Sequence, residues 1–325
     1  MELLCNPDLP IIKKDWRGNP VHDGRFQNLG RPVKTPLSKV LRWAVTPNPQ
    51  RQQKRKDSWM LPIVHEPLRL EGSFITWLGH ASFLIKLGST VLITDPVLGT
   101  LPMIKRWAPV PYTLEELPRI DFVLLSHDHR DHCDEQSLKQ IAGRFKPQML
   151  VPLNMQDLLS GWVPDITIQE AGWYQQYSLD RSGLEVFFLP ARHWGKRGLL
   201  DDHRRLWGSF LIRYKQITIY FGGDSGYDAH FKEIASLFGK IDIALLPIGA
   251  YKPSWMMKEV HMSPPEAHLA FEDLKASLLV PMHYGVFDLA DEPMGEPISW
   301  LRKIMQQHAA SERLKELAVG EAWTI

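Results

Sequence analysis

Residues Ser126-His127-Asp128-His129-Arg130-Asp131-His132 constrain this chain most tightly. They crowd four metal-ligating side chains into the pattern H-x-H-x-D-H. In an extended loop His127 and His129 point the same way, so one ion can take both. A turn then directs Asp131 and His132 to a second position nearby. The apolar run Asp121–Leu125 reads as a buried strand that anchors the loop. A metal site needs that rigidity, because a ligand displaced by about 1 Å loses much of its value. Further along, His193, Asp224 and His283 each follow a short β-like segment, namely Leu184–Leu189, Ile217–Phe221 and Ser277–Pro281. Neutral imidazoles and carboxylates suit a borderline divalent ion such as Zn²⁺. Five histidines and two aspartates suffice for two ions that share a bridging carboxylate.

A chain of 325 residues can bury a substantial core, as one large domain or two small ones. Its apolar share of 44% and charged share of 23% are those of a globular protein. With 38 basic against 37 acidic residues, no global field points to nucleic acid, which is not expected as a partner. Only Arg51, Lys54, Arg55 and Lys56 form a basic run. It reads as a solvated loop, and contact with an anionic lipid surface is the sharper reading. Cys5 and Cys133 make no disulfide framework and fit a reducing compartment. Cys133 follows a ligand directly, yet reads as a small buried residue. The N-terminus lacks the charged start and apolar core of a signal peptide, and no apolar run approaches the roughly 20 residues that span a bilayer. A cytoplasmic protein is expected, with any membrane association peripheral. Twelve tryptophans suit core packing first and an apolar substrate second.

Residues 1–70 are rich in Pro and basic side chains and poor in periodicity, apart from one short helix expected at Leu37–Val45. They read as an arm that wraps a body formed by residues 71–325. From Phe74 the texture changes to a β-meander: Phe74–Leu78, Ser82–Leu87 and Thr90–Thr94. Strand and helix then alternate. Helices are expected at Asp134–Ile141 with Asp134 as N-cap, and at Met155–Ser160, Ala229–Leu237, Pro264–Leu274 (N-cap Ser263) and Pro297–His308. Strands are expected at Gln148–Val151, Leu184–Leu189, Gly208–Tyr214, Gln216–Phe221, Ile241–Leu246 and Ser277–Val280. This order predicts an α+β fold of two mixed sheets packed face to face with helices outside.

The H-x-H-x-D-H run with later His193, Asp224 and His283 resembles the dinuclear hydrolases of the metallo-β-lactamase superfamily, which implies their four-layer αββα sandwich. By that resemblance His127, His129 and His193 hold one ion, and Asp131, His132 and His283 hold the other. Asp224, in Phe-Gly-Gly-Asp-Ser-Gly, bridges both. Asp95, in Leu-Ile-Thr-Asp-Pro, matches the family's earlier Asp, which hydrogen-bonds behind a ligand or its loop; a turn cap is the competing reading. His80 reads as a supporting group behind the ligands, since seven ligand positions are already filled. Thr76-Trp77-Leu78-Gly79-His80-Ala81-Ser82, Pro190-Ala191-Arg192-His193-Trp194, Leu206-Trp207-Gly208-Ser209, Gly249-Ala250-Tyr251, His261-Met262-Ser263-Pro264 and His283-Tyr284-Gly285 narrow the likeness. They resemble the subgroup that contains the N-acyl-phosphatidylethanolamine-hydrolysing phospholipase D, over most of the chain.

The resemblance implies a phosphodiesterase with two Zn²⁺ per chain, and Mn²⁺ or Fe also satisfies such ligands. Two ions roughly 3.5–4 Å apart lower the pKa of a shared water toward about 7, and the bridging hydroxide attacks phosphorus in line. Asp131 and His261 are the candidate catalytic residues, His261 as the acid that protonates the leaving oxygen. Trp194, Trp207, Tyr251, Trp255 and His261 are the candidate substrate contacts, with Met256 and Met257 as an adaptable acyl-chain wall. A small molecule or a phospholipid is the expected substrate, and a homodimer is expected from general frequency. The alternative activity is hydrolysis of another small ester, lactone or phosphodiester without lipid specificity. An iron-dependent redox protein and a non-catalytic scaffold are the readings outside hydrolysis.

Overall fold

The computed structural model describes residues 2–33, 37–68 and 71–325, and the expected junction of arm and body at residue 70 lies outside them. The arm contributes β1 (Glu2–Leu4), β2 (Asn19–His22), β3 (Arg25–Phe26), α1 (Leu37–Val45) and α2 (Arg51–Lys56). The body begins with β4 (Phe74–Gly79), β5 (Ser82–Leu87), β6 (Thr90–Thr94), β7 (Phe122–Leu124), α3 (Glu135–Phe145), β8 (Gln148–Pro152), α4 (Gln156–Ser160) and β9 (Ile168–Ala171). It continues with β10 (Gln175–Gln176), β11 (Leu184–Leu189), β12 (Ser209–Tyr214), β13 (Ile217–Phe221), α5 (His230–Phe238), β14 (Ile241–Pro247), α6 (Ser254–Met257), α7 (Pro264–Asp273), β15 (Ala276–Met282), α8 (Glu296–Gln307) and β16 (Ala322–Thr324).

The strands make a seven-stranded sheet, β16-β4-β5-β6-β7-β8-β9, and a six-stranded sheet, β10-β11-β12-β13-β14-β15. Both are mixed: β4, β5 and β6 run antiparallel, then β6 to β9 parallel; β10 to β13 antiparallel, then β13 to β15 parallel. Period-two alternation sorts the side chains of the first sheet between two cores. Ile75, Trp77, Phe83 and Ile85 meet Phe188, Phe210, Ile212 and Leu245 of the second sheet. Their neighbours Leu78, Leu84 and Ile93 face the other way and meet Leu138 and Ile141 of α3. On the second sheet α7 packs over β14 and β15. The result is the αββα sandwich.

Caps explain where two helices start. The Asp134 side chain accepts from Ser137 N at α3, and Ser263 with Glu266 forms a capping box at α7. The arm carries more structure than its texture predicts. β1, β2 and β3 form a separate small sheet that places Phe26 in the main core, and the basic run is helical rather than a loop. No described helix is long and apolar enough to cross a membrane.

Candidate metal centre

Because β6 and β7 are parallel, as are β13, β14 and β15, their C-terminal ends deliver loops to one edge of the sandwich. Asp95 follows β6, the His127–His132 loop follows β7, Asp224 follows β13 and His283 follows β15. His193 follows β11, which runs in the same direction as β13. Gly208 N donates to Ser126 O at 3.0 Å and stitches the two sheets together beside the loop. His80, Asp95 and His283 all sit at left-handed φ, of 56°, 34° and 61°. For a histidine that backbone is uncommon and is held by its surroundings. Gly249 allows the close approach at His283, since a Cβ there would stand 2.1 Å from the His283 carbonyl oxygen.

The structure brings together all seven residues expected as ligands. His127, His129 and His193 offer atoms within 4.8 Å of one another, and so do His80, Asp131, His132 and His283. Asp224 lies between the groups: its Oδ2 is 3.2 Å from His132 Nε2 and 3.8 Å from His193 Nε2, and its Oδ1 is 3.1 Å from His283 Nε2. A metal fits this arrangement. The Nε2 atoms of His127, His129, His132 and His283 and Asp224 Oδ1 are buried without a hydrogen-bond partner, and buried polar atoms left this way are costly unless something else satisfies them.

Several of these rings are fixed from behind. Asp95 Oδ2 accepts from His132 Nδ1 at 2.7 Å, and Val260 O accepts from His193 Nδ1 at 2.9 Å. Both bonds hold a proton on Nδ1 and make Nε2 the nitrogen available to an ion. Asp95 also accepts from Ser126 N and Oγ at 2.7 and 2.6 Å, so it secures the loop as well as the ring. His80 Nε2 lies 3.1 Å from Asp131 Oδ2. Its ring also lies within 4.8 Å of the ligand atoms of Asp131, His132 and His283.

The electrostatics favour bound cations. Burial lowers His127, His129 and His193, so these imidazoles are neutral and free to ligate. Burial also pushes the Asp131 and Asp224 carboxyls up, but adjacent imidazoles, His132 foremost, outweigh it and hold both well below the usual carboxylate range. Burial lowers His132 and His283, but Asp224 and Asp131 outweigh it and raise both, His283 to about 9, so these two rings carry the positive charge that a bound cation would replace.

The centre opens into a cavity of about 200 Å³ lined by His129, Asp131, Asp224, His261 and His283 and by Trp194, Ala250, Met256, Met257, Val260 and Leu289. Trp194, His261, Met256 and Met257 therefore border it as expected substrate contacts. His261 Nδ1 is 3.7 Å from Asp224 Oδ2, and burial lowers the ring to about 4. Trp207 is a correction: it is 0% exposed and its Nε1 donates to Ala191 O. Trp207 lies two residues before β12, and its ring turns into the core. Tyr251 and Trp255 line a neighbouring groove of about 870 Å³ that shares no lining residue with the metal cavity.

Three supporting groups escape a sequence reading. Asp128, between His127 and His129, is fully buried and pairs with Arg205 Nε at 2.6 Å. Arg197 donates to the carbonyls of Asp128 and Cys133 at 3.1 and 2.6 Å, which clamps the loop. Asn28 of the arm donates to His193 O at 2.8 Å. Only Asp128 carries a sequence signal, a charged residue inside an otherwise buried run. Cys133 is buried and its thiol is pushed up to about 12 by that burial, as an inert packing residue requires.

Residues 90–284 match the model of the beta-lactamase superfamily domain. The chain is 34% identical to N-acyl-phosphatidylethanolamine-hydrolyzing phospholipase D 1 of Caenorhabditis elegans, across 97% of this chain and 96% of that one. Among solved structures, the metallo hydrolase Igni18 of Ignicoccus hospitalis superposes with a TM-score of 0.60 at 22% identity, covering 77% of this chain and 97% of that one. CmlA, a diiron beta-hydroxylase of Streptomyces venezuelae, superposes with a TM-score of 0.60 at 20% identity, covering 80% of this chain and 55% of that one. These two show the shared fold. The chain belongs to the metallo-β-lactamase superfamily, in its N-acyl-phosphatidylethanolamine-hydrolysing phospholipase D-like subgroup, and is a metal-dependent hydrolase.

Proposed function

We propose that this chain is a phospholipase D-type phosphodiesterase that binds two zinc ions and cleaves N-acyl-phosphatidylethanolamine-like phospholipids. The observation that carries the lipid reading is the cavity described above. Its floor is His129, Asp131, Asp224 and His283, and its walls are Trp194, Met256, Met257, Val260 and Leu289. A diester with long apolar substituents needs both halves of that arrangement, and methionine adapts to acyl chains of varied shape. Similarity over nearly the full length of the nematode phospholipase supports the same substrate class.

His127, His129 and His193 would hold one divalent ion and Asp131, His132 and His283 another, with Asp224 within reach of both groups, and the ions would supply Lewis acidity that lowers the pKa of a water toward about 7. The chain's own residues position the reaction. Asp95 and Val260 fix the faces of His132 and His193. The His261 ring N–H stands at the cavity wall to donate a hydrogen bond to the departing oxygen. Trp194, packed edge-on against His129 with ring centroids 4.7 Å apart, shields the centre from bulk water with the two methionines.

One preparation should be analysed for metals and assayed on N-acyl-phosphatidylethanolamine in mixed micelles and on soluble bis(p-nitrophenyl) phosphate. Turnover of both, with release of phosphatidic acid and an N-acylethanolamine and two zinc per chain, is expected. Activity on the soluble diester alone removes the lipid claim. Two redox-active irons per chain overturn the zinc assignment.

A further inference from the structure

Residues 26–31 of the arm close on a metal ligand, and they tie the segment Arg192–Gly195 at three places. Asn28 Nδ2 donates to His193 O at 2.8 Å. Arg192 Nη1 donates to Arg31 O at 3.1 Å. Phe26 N donates to His203 O at 2.8 Å, and His203 N in turn donates to Gly195 O at 2.7 Å. The ligand and both its flanks are thus held by chain that lies 165 positions earlier at Asn28.

Packing alone does not account for Asn28. It is 8% exposed, and its Oδ1 is buried without a hydrogen-bond partner. The bond to His193 O is the one its amide makes among the described residues. Burying an amide with its acceptor unused is costly, and a leucine would fill similar space without that cost. The donor is what the position requires. Arg192 extends the same clamp: its guanidinium pairs with Asp228 at 3.1 Å and with Glu259 at 3.6 Å. Glu259 precedes Val260, whose carbonyl accepts from His193 Nδ1. Backbone and ring of His193 are therefore held from two sides, by the arm and by the Glu259–Val260 loop, with Arg192 bonded to both.

We propose that the arm is a lock on the ion of His127, His129 and His193. Asn28 is a positioning residue for His193, so seating of residues 26–31 and binding of that ion are one coupled equilibrium. The other ligands are braced differently: His132 is fixed by Asp95, and Asp131 lies against His80, both within the body. This lock presupposes the two-ion reading of the centre. Loss of a group behind a ligand weakens metal affinity about 10–100-fold. Linkage makes the effect reciprocal, so the bound ion holds the arm closed by the same factor.

Metal-free full chain should be titrated with zinc against a chromogenic chelator, as the parent and as Asn28→Ala and Asn28→Asp. The aspartate keeps the shape of the side chain and loses its donor. Both variants should bind one equivalent about 10–100-fold more weakly and the other like the parent. Amide exchange gives the reciprocal measurement at Phe26 and Gln27, whose N–H groups donate to His203 O and Pro20 O. Saturating zinc should slow exchange there by up to about 10–100-fold in the parent, and much less in Asn28→Ala. Variants that melt lower yet bind both equivalents like the parent make Asn28 a packing residue and overturn the lock. So does a parent whose Phe26 and Gln27 amides exchange alike with and without zinc, a result that requires no variant to fold. A parent that binds no zinc sinks the metal reading and the lock together, whereas two equivalents bound equally by parent and variants sink the lock alone. Zinc affinities that shift as expected, without lipid turnover by the parent, sink the phospholipase reading and leave the lock standing.

Discussion

Asp95→Asn tests how a buried carboxylate selects the ligating nitrogen of His132. Asp95 Oδ2 accepts from His132 Nδ1 at 2.7 Å and from Ser126 Oγ at 2.6 Å, while Oδ1 accepts from Ser126 N at 2.7 Å. Asp95, Ser126 and His132 are all 0% exposed. Asparagine keeps the volume, tolerates the left-handed φ of 34° and still accepts from Ser126 N. Its amide nitrogen, however, replaces Oδ2 and cannot accept a proton. A neutral His132 can answer that N–H only by moving its own proton to Nε2, the nitrogen 3.2 Å from Asp224 that must stay bare to ligate. Losing a charge-assisted bond costs about 1.5–3 kcal/mol, and changes to groups behind a ligand typically weaken metal binding about 10–100-fold. Metal-free protein titrated with zinc against a chromogenic chelator should therefore show one equivalent weakened about 10–100-fold and the other little changed. Asp95→Ala, which strands three buried donors at about 1–3 kcal/mol each before relaxation, should also lower the melting temperature markedly. An Asp95→Asn protein that binds both equivalents as tightly as the parent refutes the tautomer argument.

Further predictions follow from neighbouring geometry. Gly249→Ala puts a methyl 2.1 Å from the His283 carbonyl oxygen; denaturant unfolding should show a loss of about 1–3 kcal/mol, and bound metal should fall as His283 is displaced. Glu292 is buried and accepts from the backbone N–H of Ala250, Tyr251 and Lys252. Glu292→Gln should therefore speed amide exchange at those three positions while leaving exchange in β4 and β5 unchanged. Burial pushes Glu233 up, yet hydrogen bonds from Lys13 and the Tyr174 hydroxyl outweigh it and hold its carboxyl below the usual range. A depressed carboxylate stabilises above its unfolded pKa of about 4.3 and loses that contribution as pH falls through the folded value. The stability gap between parent and Glu233→Gln should thus be largest near neutrality and close in acid, and a gap that widens below about pH 4 contradicts the assignment.

Legibility in the sequence tracked the distance over which each feature is encoded. The strands β5, β6 and β11 lie where their apolar runs predicted, because alternation is a property of five or six consecutive residues. Helix α3 carries its expected Asp134 cap and extends to Phe145, four residues beyond the expected end, since the Gly143-Arg144-Phe145 turn has little period of its own. Strands of two to four residues such as β1, β3 and β16 have no period to read; pairing partners far along the chain, such as Thr76 for Ala322, define them. Helix α2 is polar on every face, so it sends no amphipathic signal.

The metal centre divides along the same line. Six consecutive residues placed four ligands by local geometry alone, so His127, His129, Asp131 and His132 announced their chemistry before any fold was known. His193, Asp224 and His283 stood out by their places after short β-like runs, whereas their assignment to one ion or the other rested on resemblance. Their convergence depends on parallel strands ending at one edge of two packed sheets, a long-range arrangement that no local period encodes. Only tertiary packing decided which aromatic residues border the cavity. Trp207 went into the core, Trp194 to the ligands and Trp255 to the neighbouring groove, because a side chain's surroundings are set by whichever distant element packs against it. The pairing of Asp128 with Arg205 belongs to the same class: a buried charge demands a partner, and the fold alone determined which of the chain's many arginines would supply it.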